Sequence, residues 1–186
     1  MQKTINLTNH FLIAMPNLLD PNFYRSVTYV CQHNEQGAIG LILTRTSEIR
    51  LLELLQQLDI KLKPEVRNTA IMYGGPVDPF SGFILHRPHG NWDTTLAVTD
   101  EIGLTTSRDV LDAIGGGTGP SDSIVALGYA GWGEGQLESE MLDNAWLTLQ
   151  ADAEMLFKTP PDQLWHAAAQ ALGIDITRLS GDVGHA

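Results

Sequence analysis

The sequence predicts a single α+β domain, residues 1–186, with a mixed and largely antiparallel sheet flanked by helices. The chain is long enough for one buried core, and its 43% hydrophobic and 18% charged residues are typical of a globular protein. Its predicted strands come as hairpins and clusters rather than in regular alternation with helices. That order favours the α+β class over a doubly wound parallel sheet.

A hairpin is the clearest supersecondary unit of the N-terminal part. FLIAMP (11–16) predicts a first strand, and β-branched and aromatic residues predict a second at SVTYVCQH (26–33). NEQG (34–37) has the length and the final glycine of a hairpin connection, and AIGLILTR (38–45) is the returning strand. We therefore expect these two strands to pair antiparallel.

The middle of the chain combines one helix with three strands. IRLLELLQQL (49–58) places four leucines at i, i+3, i+4 and i+7, which predicts an amphipathic helix. AIMYGG (70–75), SGFILHR (81–87) and TTLAVT (94–99) predict strands, with GGPVDP (74–79) as a breaker between the first two.

A second helix and a buried strand follow. Thr106 or Ser107 is suited to cap a helix that runs through Ile114 and ends in the breaker GGGTGP (115–120). DSIVALGYAG (122–131) is then predicted as a buried strand because most of its residues are apolar.

The C-terminal part predicts two more helices and one more strand. GQLESEML (135–142) is a short helix, and AWLTLQA (145–151) alternates as a strand does. The final helix has clear limits, with Thr159 as its N-cap, Pro160 at its first position and Gly173 after its last turn.

Composition narrows the classes of function. The net charge is −11, and residues 88–186 hold three Lys/Arg against fifteen Asp/Glu. An acidic surface repels phosphate backbones, so direct nucleic-acid binding is disfavoured. No apolar run approaches the ~20 residues of a membrane span, and the first residues lack the pattern of a secretory signal. With one cysteine in the sequence, we expect a soluble, cytoplasmic protein.

The stretch LGYAGWGEGQLESEM (127–141) is the most unusual of the chain. Its glycines suggest a phosphate-binding loop, but a P-loop needs a lysine and a hydroxyl after its last glycine. The dinucleotide fingerprint G-x-G-x-x-G is absent as well. We therefore predict a strand-to-helix corner, at which glycines permit the turn.

Four side chains of this stretch are candidate site residues, namely Trp132, Gln136, Glu138 and Glu140. Glu138 lies in the first turn of the predicted helix, where its charge complements the helix dipole. Glu140 borders the buried face and is suited to accept hydrogen bonds from N–H groups of the glycine loop as an internal brace. The alternatives are that these side chains face a ligand, or that a glutamate acts as a general base. The bracing role is favoured.

Cys31 and His33 are the weak catalytic candidates. Regular alternation places Val27, Tyr29, Cys31 and His33 on one face of their strand. Two residues span about 7 Å along a strand, which is too far for a direct ion pair between thiolate and imidazole. A buried, inert thiol is favoured, and a reactive Cys31 is the alternative.

Histidines at a predicted strand end raise the question of a metal. HRPH (86–89) contributes His86 and His89, which with Cys31 and His33 are of the types that bind zinc. The chain has no H-E-x-x-H motif and no second cysteine, so we predict no metal site. It also lacks the G-x-S-x-G elbow of serine hydrolases.

Several stretches taken together resemble the YqgE/AlgH family of bacterial proteins. They are FLIAMP, DPNFYRSVTYVCQHNEQGAIGLIL, YGGPV, GFILH, GYAGWGEGQLESE and NAW, over about residues 11–173, with a short tail at 174–186. The resemblance implies a compact α+β domain whose bifurcated sheet curls into a pseudo-barrel. It implies no established catalytic residue and no cofactor. The family's usual Asn-Arg-Pro or Asn-Lys-Pro is replaced by Thr44-Arg45-Thr46, so any role of that asparagine and proline does not carry over.

Members of this family are often described as transcriptional regulators. The acidic charge and the lack of a helix-turn-helix pattern favour action through a protein partner or a small ligand rather than on DNA. The leading hypothesis is a non-enzymatic regulatory or adaptor domain without a cofactor. The alternative is a thiol-dependent enzyme or redox-responsive protein that uses Cys31 with His33 or His86. The identity of the ligand or partner and the oligomeric state stay open.

Overall fold

The computed structural model describes residues 5–179. The chain divides into two compact units. The first unit comprises the residues up to 45 and from 130 onward, and the second unit comprises residues 46–129. Within the described residues, no helix is long and apolar enough to cross a membrane.

Strands and short helices follow one another irregularly along the described chain. The strands are β1 His10–Ala14, β2 Val27–Asn34, β3 Gly37–Ile42, β4 Thr46–Arg50, β5 Ala70–Tyr73, β6 Val77–Arg87, β7 Thr95–Ala97, β8 Gly103–Thr105, β9 Asp122–Trp132 and β10 Trp146–Gln150. The helices are α1 Leu51–Gln57, α2 Asp109–Gly115, α3 Gln136–Leu142, α4 Ala153–Lys158, α5 Pro161–Ala171 and α6 Ile176–Leu179.

The first unit is built on an antiparallel sheet in the order β10–β1–β2–β3, followed by the last residues of β9. The hairpin of β2 and β3 is the one that the sequence predicts. α5 lies against β1 and β2, and its Trp165 Nε1 donates a hydrogen bond to Ala14 O at 3.0 Å. α3 contacts β3 and β10.

An apolar cluster lies on one face of this sheet. Its buried members are Leu7, Leu12, Ala14, Val30, Ala38, Ile42, Ala130, Trp132, Leu137 and Trp146. Phe23 packs against the cluster, with its ring centroid 5.9 Å from that of Trp132 and 5.2 Å from that of Trp146. Each buried Val, Leu or Ile of the cluster contributes about 1.5–3 kcal/mol by leaving water, so the cluster is a major part of what holds this unit together.

A β-bulge in β2 changes the face on which His33 lies. The register with β3 shifts between Val30 and Gln32, so Cys31 is an extra residue in the strand. Beyond the shift His33 pairs with Ala38, whose side chain belongs to the same apolar cluster as that of Val30. Paired residues share a face, so the predicted placement of His33 with the odd-numbered residues of β2 was wrong.

The second unit contains a mixed sheet. β9 pairs antiparallel with β6 and parallel with β5, while β8 pairs with β6 and β7, and β4 pairs with β5. Helices α1 and α2 cover this sheet, and the buried cluster comprises Leu51, Leu55, Ile60, Ile71, Ile84, Val110, Leu111 and Val125. One parallel pair among antiparallel ones agrees with the predicted mixed sheet, and the α+β class is confirmed.

Several helix ends differ from the prediction. The cap of α2 is Arg108, which makes no side-chain cap bond, whereas the predicted cap Ser107 accepts the N–H of Thr94 at 3.0 Å. The cap of α5 is Pro160 rather than Thr159. In both cases the predicted N-cap lies one residue before the observed one, a difference that is common at helix ends.

Short elements escaped prediction. β4, β8, α4 and α6 have three to six residues each, too few for a periodic pattern to stand out. The predicted breaker 74–79 is also wrong in part, because β6 begins at Val77. The predicted tail 174–186 contains α6, and its residues 180–186 lie outside the described residues.

Candidate functional site

The turn from β9 into α3 brings the four predicted site residues of the glycine-rich stretch together in the first unit. We call residues 131–141 the β9–α3 corner. Gly135 precedes α3 with φ +70°, a left-handed conformation that favours glycine. The side chain of Gln136 turns back, and its Oε1 accepts the N–H of Gly133 at 3.0 Å. The side-chain amide of Gln136, at the start of α3, thus stabilises the loop that precedes the helix.

Glu140 is the centre of the corner. Its Oε2 accepts hydrogen bonds from Trp132 Nε1 at 2.8 Å and from Trp146 Nε1 at 2.9 Å. Its Oε1 lies 3.3 Å from Gln136 Nε2, which donates to it. Both indole rings are buried, and an indole N–H in an apolar cluster needs an acceptor. One carboxylate therefore holds α3, β9 and β10 to one another.

The hydrogen-bond donors to Glu140 differ from those that the sequence suggested. The N–H of Gly133 in the loop donates to Gln136, while Glu140 accepts from two tryptophans and from Gln136. The polar atoms of Trp132, Gln136 and Glu140 are thus bonded to one another inside the corner. Trp146 was not predicted as part of the site, although an apolar-faced strand with a tryptophan so close to the corner was a usable signal.

His33 and Glu138 are hydrogen-bonded to each other, a contact that the sequence did not indicate. His33 Nε2 lies 2.7 Å from Glu138 Oε1, and His33 Nδ1 accepts the N–H of Leu7 at 3.0 Å. Because Nδ1 is the acceptor, Nε2 carries the proton and donates it to the carboxylate. The histidine side chain is 2% exposed and that of the glutamate 39%. The pair therefore links the segment before β1 to β2 and α3.

Hydrogen bonding lowers the pKa of Glu138. The main cause is the hydrogen bond from its own backbone N–H, partial burial opposes it, and the hydrogen bond from His33 adds to the lowering. A group whose pKa is lower in the folded state stabilises the fold above its unfolded pKa. That stabilisation disappears as the pH falls through the folded pKa.

We expect Glu138→Gln to be less stable than wild type at pH 7 and to approach wild type as the pH falls through the acid range. The measurement is urea unfolding of both proteins over a pH series from 7 to 3. The other carboxylates titrate equally in both, so the difference isolates Glu138. A stability difference that stays constant with pH would contradict this linkage.

Cys31 is buried, with 1% of its surface exposed. Its Sγ contacts the carbonyl oxygen of Tyr29 at 3.8 Å, and burial raises the pKa of its thiol well above the ordinary value. His33, its proposed activator, uses its ring nitrogens on Leu7 and Glu138. Neither ring nitrogen of His33 is thus bonded to this sulfur.

We expect the Cys31 thiol to resist modification in the folded protein. A raised pKa keeps the thiol protonated at neutral pH, and a protonated thiol is a poor nucleophile. Titration with a chromogenic disulfide from pH 7 to 9 should give no reaction until denaturant is added, and then one thiol per chain. Fast reaction of the folded protein would instead support a thiol-dependent function.

His86 lies fully buried in the second unit, where both ring nitrogens are bonded. Nδ1 donates to Pro88 O at 3.0 Å, so Nε2 accepts from Thr105 Oγ1 at 2.7 Å. Thr95 Oγ1 then donates to Thr105 Oγ1 at 2.8 Å. Burial lowers the pKa of His86, and the ring is neutral at pH 7. Among residues 5–179, no group of three or more His, Cys, Asp or Glu is placed to hold a metal ion.

Two clefts flank the β2–β3 hairpin. The larger has a volume of about 560 Å³ and is lined by Ile5, Asn6, His33, Asn34, Glu35 and Gln36. The smaller has about 160 Å³ and is lined by Gln32, Asn34, Gln36, Gly37, Ala38, Ile39 and Trp132. The amide oxygens of Asn6 and Asn34 accept backbone N–H groups of Thr8 and Gln36. Their NH₂ groups are not used in these two bonds.

The fold and the β9–α3 corner identify the class of protein to which the chain belongs. A family model described as AlgH-like matches residues 11–177, a range that includes the hairpin, the corner and α5. The chain therefore belongs to the AlgH-like family, and the predicted resemblance is confirmed.

Particular proteins are similar over their whole length. The chain is 50% identical to a UPF0301 protein of Thioalkalivibrio sulfidiphilus over 186 residues, which is 100% of both chains. It is 53% identical to a UPF0301 protein of Nitrosococcus oceani over 96% of each. The solution structure of the AlgH protein from Pseudomonas aeruginosa is 47% identical and matches with a TM-score of 0.80 over 100% of this chain and 99% of that one.

A more distant structure shares the fold. The crystal structure of a protein from Corynebacterium diphtheriae is 18% identical and has a TM-score of 0.73, covering 97% of this chain and 94% of its own.

Thr44, which stands in place of the asparagine of the resemblance, and the arginine that follows it both have local partners. Thr44 Oγ1 accepts the N–H of Val27 at 3.3 Å, so the hydroxyl serves the start of β2. The guanidinium of Arg45 donates to the carbonyl oxygens of Asn22 and Tyr24, the latter at 2.8 Å. This arginine thereby holds the loop between β1 and β2.

Proposed function

We propose that this protein is a non-enzymatic regulatory or adaptor domain that binds a protein partner. The observation that carries the proposal is Phe80, which is 96% exposed in the second unit. A phenylalanine left in water forgoes about 1.5–3 kcal/mol of burial, so a chain gains from such a placement only if something else covers the ring.

The backbone around Phe80 sets it apart from a scattered surface residue. β6 pairs with β9 at Val77 and again from Gly82, and the register shifts between these two residues. Every residue from Val77 to Ser81 is exposed, and Asp78 has φ +46°, in the left-handed region that side chains rarely adopt. This irregular segment presents the ring outward, and aromatic anchors of this kind are enriched at protein interfaces.

The chemistry of the predicted site supports binding rather than catalysis. Cys31 is buried, and the ring nitrogens of His33 and His86 are bonded to other groups. In the corner, Glu140 is occupied by two indole donors. An enzyme needs a nucleophile or base that can reach its substrate. The thiol-dependent alternative therefore depends on the thiol titration described above.

The test places a photoreactive amino acid, p-benzoylphenylalanine, at Phe80 in cells of the source bacterium. A matched control places it at Gln170, an exposed residue of α5 in the first unit. We expect one discrete cross-linked product from position 80 and none from position 170. Phe80→Ser should abolish retention of the same protein on immobilised chain without lowering stability, because exposed substitutions change it by only about 0.5 kcal/mol. Identical products from both positions would overturn the proposal.

A small ligand is the second candidate, and the mostly polar lining of the cleft of about 560 Å³ beside the β2–β3 hairpin favours it. Native mass spectrometry of freshly purified protein tests this. A retained mass that disappears with Asn34→Asp, which replaces a donor with an acidic acceptor, would support the ligand. An unliganded spectrum and no binding of polar metabolites would speak for the protein partner.

A further inference from the structure

We propose that the outer edge of β10, in the first unit, binds an extended basic segment of a partner protein by strand addition. This surface is distinct from the Phe80 segment, so it does not depend on the function proposed above. Three observations carry it: the backbone groups of β10 that point away from β1, a strand without a charge, a proline or a bulge, and the acidic charges at both ends of the strand.

The backbone hydrogen bonds show which residues of β10 are available. Ala151 N–H donates to Asn9 O at 2.9 Å, and Met15 N–H donates to Ala145 O at 3.0 Å. In an antiparallel ladder the residues that bond to one neighbour alternate with those that point away. Leu147 and Leu149 therefore bond to β1, and Trp146, Thr148 and Gln150 direct their N–H and C=O groups outward. Among strands within residues 5–179, β10 pairs with β1 alone.

The strand lacks the usual protection of an edge. Natural edges carry a charge, a proline or a bulge that stops another strand from pairing. WLTLQ contains no charged residue and no proline, and its register with β1 is unbroken over five pairs. Leu147, Thr148 and Leu149 are half-buried, so an added strand would cover apolar surface that is now partly in water.

The acidic residues around the edge of β10 determine which kind of segment can bind there. Asp143 precedes the strand, Asp152 follows it, and both are exposed. The first unit as a whole has five Lys/Arg and eleven Asp/Glu. A second copy of this chain would bring the same acids against one another, which costs free energy. A partner strand with Lys or Arg at both ends gains instead.

The alternation of faces defines the partner further. Leu147 and Leu149 share the face of Ile13 and Phe11, with which they pair, and Thr148 lies on the other. Cross-strand neighbours on one face contact each other. The partner segment therefore has apolar, β-branched residues on the leucine face, small polar residues on the threonine face, and basic residues outside them.

The probe is the synthetic peptide KRVTVSVKR, added to the full chain at low salt. We expect saturation to slow hydrogen exchange at the amides of Trp146, Thr148 and Gln150, with little change at Leu147 and Leu149. A peptide N-methylated at alternate residues loses its donors and should bind at least about tenfold more weakly. The acidic peptide EEVTVSVEE should not bind, and rising salt should weaken the basic one.

Two protein variants complete the test. Thr148→Pro removes an outward N–H and should lose binding by at least about tenfold, while Thr148→Val keeps that N–H and should bind as wild type does. If Thr148→Pro is unfolded, the N-methylated peptide gives the same answer on the native chain.

Three results would overturn the proposal. The first is equal binding of the N-methylated peptide. The second is unchanged exchange at the three outward amides with peptide in excess. The third is slow hydrogen exchange at those amides before peptide is added, because the edge would then already be covered. This holds whether exchange is slow at all protein concentrations or only at those where ultracentrifugation shows dimers. If position 80 gives no cross-link but the peptide still slows exchange at the three outward amides, the proposed function is contradicted and this inference is not.

Discussion

Glu140→Ala is expected to destabilise the protein by about 3 kcal/mol, because it removes the acceptor of two buried indole donors. Trp132 and Trp146 are 5% and 4% exposed, and Glu140 Oε2 lies 2.8 and 2.9 Å from their Nε1 atoms. Without the carboxylate, both N–H groups lose their partner in an apolar cluster. Urea unfolding followed by tryptophan fluorescence measures the loss.

Two variants separate this effect from a general loss of charge. Glu134→Ala removes an exposed acid of the same corner and should change stability by no more than about 0.5 kcal/mol. Glu140→Gln keeps one acceptor oxygen and should lie between wild type and Glu140→Ala. If Glu140→Ala unfolds like wild type, the carboxylate does not brace the corner, and a role toward a ligand becomes the better explanation.

Gly128→Ala is expected to cost at least about 3 kcal/mol in the second unit, from a left-handed backbone together with a steric clash. Gly128 has φ +74°, and a Cβ there would lie 2.2 Å from the carbonyl oxygen of Gly75 and 3.1 Å from that of Val77. Backbone atoms cannot move aside as the end of a flexible side chain can, so β9 would have to shift. The measurement is the midpoint of thermal or urea unfolding.

Gly133→Ala is the matched control for this substitution. The nearest atom to its Cβ would be Gln136 Oε1 at 4.0 Å, an ordinary contact. We therefore expect a change within about 0.5 kcal/mol. Similar losses for both variants would mean that the glycine-rich stretch is sensitive to any added side chain, and the clash with Gly75 would then not be the cause.

These two experiments bear on what the glycine-rich stretch does. Its glycines have different roles, since Gly128 is needed for a close backbone approach and Gly135 for the conformation that precedes α3. Its polar side chains bond mainly within the first unit, to Trp146 and to one another at Glu140. We therefore propose that the stretch is a structural brace, and that partners are bound elsewhere.

Much of the fold was predictable because it follows local rules. The hairpin of β2 and β3 was found from β-branched residues and a terminal glycine, and α1 from four leucines at helical spacing. The short helix α3 and the end of α5 before Gly173 also followed from neighbouring residues. Periodicity, turn residues and caps are properties of a few adjacent residues, so one sequence suffices to show them.

The site was predictable only in part, because its contacts join residues far apart in the chain. His33 and Glu138 are separated by 105 positions, and nothing in either segment indicated the other. The bulge at Cys31 moved His33 to another face, and a single extra residue of this kind leaves no mark in the alternation pattern. The sequence did single out Gln136, Glu138 and Glu140, but it left their partners unknown.

The sequence by itself determined the α+β class, the family and the position of the corner. Only the tertiary structure decided that Glu140 joins two tryptophans, that Cys31 is buried, that Phe80 is exposed, and that β10 pairs with β1 alone among the strands of residues 5–179. The physical reason is that backbone preference acts within a turn or a strand. Hydrogen-bond partners and burial depend on which distant segments meet after the chain has folded.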